Sequence, residues 1–384
     1  MRILHTSDWH IGRTFHGFST LAALRGVLEA LVAQVRAHAV DLVVVAGDVF
    51  DSAAPAADCY TLLTDTLVAL RDAGAEIVLT SGNHDSAARL GFQSRLLRDG
   101  IHVVTDVGRV GAPITMTDAA GPVHVYGIPY LEPALLRHAW PGVRTHAQAL
   151  TYAMDRVRAD LAERGGRSIV VAHCFAAGVE PTPHLERDIQ QGGLDVVPRS
   201  VFEGVDYAAL GHIHGRQQLA ANVRYSGAPL HYSFGEGGKP RGSWLVEMDP
   251  AGSMVAEWLD LPVPRPVVTL RAPLAELLDD ERFTAHEGSW VFAEYTDTLP
   301  QRDAMRRLQA RFAHCALVAH VPAESRGPDQ RSYRQRVRAA RSDRDLLETF
   351  LSHVRAGEGA TPREADLLAE VLSAVPDGSR TARA

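Results

Sequence analysis

Short runs of aliphatic and β-branched residues, each ending abruptly in polar ones, recur through the first two thirds of the chain. Residues 2–6 run into Ser7, Asp8, Trp9 and His10; 42–46 run into Gly47, Asp48, Val49, Phe50 and Asp51; and 76–80 run into Ser81, Gly82, Asn83, His84 and Asp85. Farther on, 169–172 deliver His173, and 207–210 deliver Gly211, His212, Ile213 and His214. Apolar runs of this length read as buried strands, and their polar ends mark the carboxyl edge where open α/β sheets place ligands. Between the strands the spacing changes to that of helices, with Leu24, Leu28, Leu31 and Val35 within 21–40 and Leu62, Leu63, Leu67 and Leu70 after Asp51. Further helices are predicted at 87–98 and 146–163, with a strand at 123–129. The alternation predicts a layered α/β sandwich with helices on both faces.

Residues 178–193, with Pro181, Pro183, Gly192 and Gly193, read as a long polar loop, and loops of that length in compact domains tend to be functional. The segment from Gly235 to Lys239 superficially resembles a phosphate-cradling loop, but Pro240 stands where Ser or Thr is required and no helix is predicted to follow, so no ATP site is expected. A hairpin over 243–248 and 254–261 closes the first unit. Pro262, Pro264 and Pro266 then punctuate the chain, placing a domain over 1–264. Strands at 267–270, 290–295 and 317–321 and helices at 274–280 and 302–312 form a small α/β unit over 265–325. The remainder, 326–384, holds six arginines at 331, 334, 336, 338, 341 and 344 and two amphipathic helices. The arginine run fits a solvated linker or a phosphate-contacting patch. Leu346, Leu347, Phe350, Leu351 and Val354 line the first helix. The second opens on a Thr361 to Glu364 capping box and carries Leu367, Leu368, Val371, Leu372 and Val375. These apolar faces can dock on the chain's own body or on a partner.

Composition narrows the class more than the function. With 46% hydrophobic and 22% charged residues over 384 positions the chain is globular in type, and its net charge of -7 excludes a general basic coat, so contact with nucleic acid would be local or metal-mediated. Three scattered cysteines argue against a disulfide framework or thiolate zinc site. With no leader and no run of about 20 apolar residues, a cytoplasmic protein without a membrane segment is expected.

Asp8, His10, Asp48, Asn83, His173, His212 and His214 offer carboxylate, amide and imidazole donors without a thiolate, which suits divalent manganese, iron or zinc. A lone buried histidine is commonly a satisfied core residue, but seven such groups at five strand ends make that reading improbable for the set. Seven donors exceed one ion and suit two if a carboxylate bridges, and Asp48 from a central strand is the candidate bridge. Paired cations activate water and offset charge on the oxygens of a phosphate ester. His84 is then a candidate catalytic group facing substrate, and the Asp51 carboxylate a candidate acceptor for its second ring proton, with a helix N-cap as the alternative for Asp51.

These motifs and their order resemble those of the calcineurin-like metallophosphoesterases. The residues from Ile3 to Gly12, Val45 to Asp51, Tyr207 to His214 and Arg224 to Pro229 are similar to the SbcD family of bacterial nuclease subunits. The resemblance implies a metallophosphoesterase sandwich, a capping domain over 265–325 and a helical tail. It implies one metal site at Asp8, His10, Asp48 and His214, and another at Asp48, Asn83, His173 and His212, with His84 catalytic. It further implies manganese, a homodimer, and an SbcC-type ATPase held by the terminal helices. The expected activity is that of a manganese-dependent DNA exonuclease and endonuclease acting in double-strand break and hairpin processing. Ser52 and Asp85 stand where phosphatases of the superfamily carry Arg and Glu, which weakens a phosphatase reading. A cyclic-nucleotide phosphodiesterase would share the site without needing cap or tail, and a partner-binding scaffold would leave the site idle.

Overall fold

The computed structural model describes residues 1–97, 99–178, 196–322, 333–355 and 357–374. It divides into two compact units, Met1–Val267 and Val268–Ala384. In the first, β1 (Arg2–Thr6), α1 (Leu21–Ala37), β2 (Leu42–Ala46), α2 (Ala57–Asp72), β3 (Glu76–Thr80) and β4 (Ile101–Val104) alternate. They are followed by β5 (Ile114–Asp118), β6 (Gly121–Ile128), α3 (His146–Arg164), β7 (Arg167–His173), β8 (Tyr207–Gly211), β9 (Gln217–Ala220), β10 (Val223–Tyr225), β11 (Gly242–Met248) and β12 (Met254–Asp260).

Two six-stranded sheets result, in the orders β12-β11-β1-β2-β3-β4 and β9-β10-β8-β7-β6-β5. The run β1 to β4 is parallel, in register Ile3 to Leu42, Leu42 to Glu76 and Ile77 to Ile101; β6, β7, β8 and β10 are parallel in the other sheet. Parallel strands buried on both faces require apolar residues at successive positions, and the two-residue period sorts them. Ile3, Leu42, Val44, Ala46 and Val78 face Val123, Val125, Ile169, Val171 and Ala209 of the opposite sheet. Their neighbours Leu4, Val43, Val45, Ile77 and Leu79 pack against Leu24, Leu28 and Leu31 of α1 and Leu62, Leu67 and Leu70 of α2. On the far side Tyr126, Val170, Ala172, Ala208 and Leu210 take Leu150, Met154 and Val157 of α3. The unit is therefore a helix-sheet-sheet-helix sandwich, each buried aliphatic side chain contributing about 1.5 to 3 kcal/mol. Across the sheets, the buried His5 ring joins the Tyr207 hydroxyl at 2.8 Å and the Leu210 carbonyl at 3.1 Å.

Among the elements read from sequence, the third helix differs. A single α-turn, Ala87–Leu90, is followed by a 3-10 turn, Ser94–Leu96. Gln93 at φ +60° lies in the left-handed region and interrupts the helical path; position 98 lies outside the described residues. So do 179–195, which cover the predicted loop beyond Gly178.

From the second residue of β13 (Val267–Ala272) onward the second unit holds α4 (Leu274–Asp279), β14 (Trp290–Tyr295), α5 (Ala304–Arg311) and β15 (Cys315–His320), with the strands in chain order. Leu270, Leu274, Leu277, Val291, Leu308 and Phe312 form its core. Then come α6 (Tyr333–Ala339), α7 (Asp343–Val354) and α8 (Pro362–Ala374). Arg331 and Val375 lie outside the described residues. At the start of α8 the capping box forms, with Glu364 Oε2 accepting from Thr361 N at 2.9 Å, and Arg355 grips the same carboxylate at 2.7 and 2.8 Å. Phe350 and Val354 of α7 and Leu367 and Val371 of α8 remain exposed.

Candidate metal centre

The parallel strands of both sheets release their polar residues at one edge, and the backbone there is unusual. Asp8, His10, Asp48 and His212 adopt φ of +53°, +44°, +49° and +105°. Left-handed backbone at a residue other than glycine costs energy and persists only where surroundings enforce it. Here the enforcement is hydrogen bonding between strand ends: Asp8 N donates to Gly47 O at 3.1 Å and His10 N to Asp48 O at 2.9 Å. His212 N donates to Asp8 Oδ1 at 3.0 Å, joining the two sheets. The sheets also approach too closely for side chains at two points. A Cβ on Gly47, itself at φ +79°, would lie 2.4 Å from His173 Nδ1, and one on Gly211 would lie 1.8 Å from the Ala46 carbonyl.

All seven donor residues predicted from sequence lie in this one place. Asp48 Oδ2 stands between two histidines, 3.5 Å from His10 Nε2 and 3.4 Å from His173 Nε2. On one side His10 Nε2 faces His214 Nε2 at 3.1 Å. On the other, Asn83 Oδ1 lies 2.9 Å from His173 Nε2 and 3.0 Å from His212 Nδ1, with the two rings' nitrogens 3.2 Å apart. Donor atoms of Asp8, His10 and His214 lie within 4.8 Å of one another, as do those of Asp8, Asp48 and His173. The group fits divalent cations on three counts. The donors are oxygen and imidazole nitrogen; facing ring nitrogens at these distances need a proton or a cation between them; and buried His10 Nδ1 makes no hydrogen bond although Asp51 Oδ1 is 3.2 Å away. His173 Nδ1 donates to the Ala46 carbonyl at 2.9 Å, which leaves its Nε2 as the donor toward the cluster.

Electrostatics follow from burial and from Asp48. Burial by itself would raise the Asp48 carboxyl and lower the His173 imidazole, but their mutual attraction outweighs it, so Asp48 lies well below and His173 above the ordinary range. His212 is lowered to about 3, first by burial and then by His173. His10 is also lowered, chiefly by burial.

His84, Asp51 and Asp85 rim the cluster. His84 has a side chain 38% exposed, and its donor atom also comes within 4.8 Å of those of His10 and Asp48, so spacing alone does not separate a ligand from a catalytic group there. The expected role of Asp51 needs correction at the atomic level. His84 Nδ1 donates to the Asp51 backbone carbonyl at 2.9 Å, whereas the carboxylate is 3.8 Å away and paired with Arg13 at 2.9 Å. Nor is Asp51 a helix cap, since Ala56 precedes α2. Asp85 accepts from Val49 N, Phe50 N and Gly82 N at 3.0, 2.8 and 2.8 Å, tying the ends of β2 and β3 together. Burial, reinforced by Asp48, pushes its carboxyl up to about 6 against those three hydrogen bonds.

Arg13, Tyr232, Glu236 and Arg241 were not legible as site residues. The Tyr232 ring packs edge-on to His10 and His214, at 5.4 and 5.8 Å between centroids, and its hydroxyl donates to Trp9 O. Glu236 sits in the segment whose glycines had suggested only a failed phosphate loop, and no periodicity marks it.

The profile of the calcineurin-like phosphoesterase family matches residues 1–216, which include every donor named above. The chain belongs to the calcineurin-like phosphoesterases. A second profile, described as the type 5 capsule protein repressor C-terminal domain, matches residues 263–355 of this phosphoesterase. It is 31% identical to the SbcD subunit of the nuclease SbcCD of Escherichia coli K12 over 368 residues, covering 91% of this chain and 92% of that protein. The protein of the same name from Rhodobacter capsulatus is 38% identical over 309 residues, covering 72% and 74%, and that of Bacillus subtilis 30% over 390 residues, covering 91% and 97%. Among the described residues of the phosphoesterase, no helix is long and apolar enough to cross a membrane.

Proposed function

We propose that this phosphoesterase is a manganese-dependent DNA nuclease subunit with exonuclease and endonuclease action, working in the cytoplasm as a homodimer with an SbcC-type ATPase. The observation carrying the reading is the convergence of seven oxygen and nitrogen donors about Asp48. Asp8, His10, Asp48 and His214 would hold one cation, and Asp48, Asn83, His173 and His212 the other. When bound, a cation pair supplies a nucleophile from water near neutral pH and offsets charge on the phosphoryl oxygens. The protein's part is to hold the donors rigid and to move a proton. Because His84 Nδ1–H is committed to the Asp51 carbonyl, its Nε2 is the atom available to phosphoryl oxygens and to the departing alcohol. Arg13 holds the Asp51 carboxylate, which keeps that segment in place beside His10. The exposed apolar residues of α7 and α8 suit docking of the ATPase, and the relatives, named as components of the nuclease SbcCD, support a partner.

The test is turnover of a DNA hairpin and of a cyclic nucleotide by the full chain with manganese, with and without chelator. Chelator-sensitive cleavage of the hairpin, restored by manganese and far exceeding cyclic-nucleotide turnover, is expected. Preference for the cyclic nucleotide, or DNA cleavage untouched by exhaustive chelation, would overturn the proposal.

A further inference from the structure

Glu236 is fully buried at the edge of the metal cluster, a position that demands a reason for a carboxylate. Its Oε1 lies 3.4 Å from His214 Nδ1, while Oε2 accepts from Tyr232 N at 3.2 Å and pairs with Arg241 Nη2 at 2.9 Å. Arg241 is itself 2% exposed, and its Nη1 donates to the backbone carbonyls of His214 and Ala228. One glutamate and one arginine therefore hold both the ring and the main chain of His214. The other ring nitrogen, Nε2, faces His10 Nε2 at 3.1 Å, within the donor cluster.

A neutral imidazole carries one N–H, and an ionised carboxylate only accepts. With the proton drawn to Nδ1 by Glu236, the lone pair of His214 is left on Nε2, toward the cluster. Arg241 keeps the carboxylate charged and fixes its orientation. Buried ion pairs are weak contributors to stability, since desolvation offsets much of their attraction, so a packing role accounts poorly for this one. We infer that Glu236, held by Arg241, is the positioning residue that sets the tautomer and orientation of His214 for divalent cation binding. The inference rests on the metal-dependent reading above and extends the site into the segment from Ala228 to Arg241.

The test measures manganese binding to the full chain by titration calorimetry, independent of turnover. Glu236→Gln can offer N–H to His214 Nδ1 and so favour the opposite tautomer. Because this change leaves Arg241 unpaired, Glu236→Gln with Arg241→Met is measured alongside, and thermal unfolding verifies that each variant is folded. Both are expected to lose affinity at one of two sites by about tenfold to a hundredfold, with the other site unchanged. In a His214→Ala background, adding Glu236→Gln is expected to leave the residual affinities where they are. Wild-type affinities in the folded double variant would overturn the inference. So would a further, additive loss in the His214→Ala background, which would make the pair merely structural. Should the unaltered chain fail to bind two ions, the metal-dependent reading falls, and the inference with it.

Discussion

His84 has one ring nitrogen bonded to a backbone carbonyl, which leaves Nε2 for the proton transfer proposed above. His84→Ala is expected to lower kcat for phosphodiester cleavage by about 10² to 10⁴, with two manganese ions still bound by calorimetry. Full activity in that variant would remove its role. Asp85 works differently, through the backbone. Deleting its carboxylate in Asp85→Ala strands three N–H groups, at Val49, Phe50 and Gly82, for an expected loss of about 1 to 3 kcal/mol in urea unfolding. An unchanged urea midpoint would contradict that account. The seven polar residues that the fold gathers around Asp48 were legible from residue type and from their position at strand ends. Asp85 was legible as part of a motif but not as a clamp, because the amides it receives are 3, 35 and 36 positions away.

At the scale of elements, strand ends carry the chemistry and glycines let them approach. Gly47→Ala would introduce a Cβ 2.4 Å from the His173 ring at a backbone angle that side chains disfavour. Manganese affinity is expected to fall with only a modest change in overall secondary structure, as circular dichroism would record. Wild-type affinity would show that the ring has room to shift. The hydrophobic period located α1, α2, α3 and eleven of the fifteen strands numbered above, missing β4, β5, β9 and β10. It failed at 87–98, where Gln93 at φ +60° breaks a helix that apolar spacing alone would have continued. In the terminal helices Phe350, Val354, Leu367 and Val371 are exposed. Deleting 345–384 is therefore expected to abolish co-purification with an ATPase while sparing metal-dependent cleavage of small phosphodiesters. Retained co-purification would exclude these helices as the docking element.

For the first unit as a whole, a charge pair between β5 and β7 reaches across to the other sheet. Arg167, 5% exposed, donates through Nη1 to Asp118 Oδ2 at 3.0 Å and through Nη2 to the other carboxylate oxygen. Its Nη1 also donates to the carbonyl of Asp249, just beyond β11, at 3.4 Å. The guanidinium holds the Asp118 carboxyl far below its ordinary value of 3.8. An acid depressed on folding adds stability above its unfolded pKa and loses that contribution as pH falls through the folded one. Asp118→Asn is thus expected to be less stable than the parent at pH 7 in urea unfolding, with the gap closing as pH drops below about 4. A gap that persisted unchanged to the lowest accessible pH would contradict the ion pair.

By itself the sequence determined the α/β class, most of the strands and the seven polar residues at strand ends that the fold brings together, because each is written in local period and residue type. Only tertiary structure decided that Asp48 stands between two histidine groups, that four donors are held in left-handed backbone, that a carbonyl and not a carboxylate receives His84, and that Glu236 reaches His214. Those facts depend on contacts between segments far apart in the chain, whose distances follow from how two sheets pack and not from the spacing of residues along either.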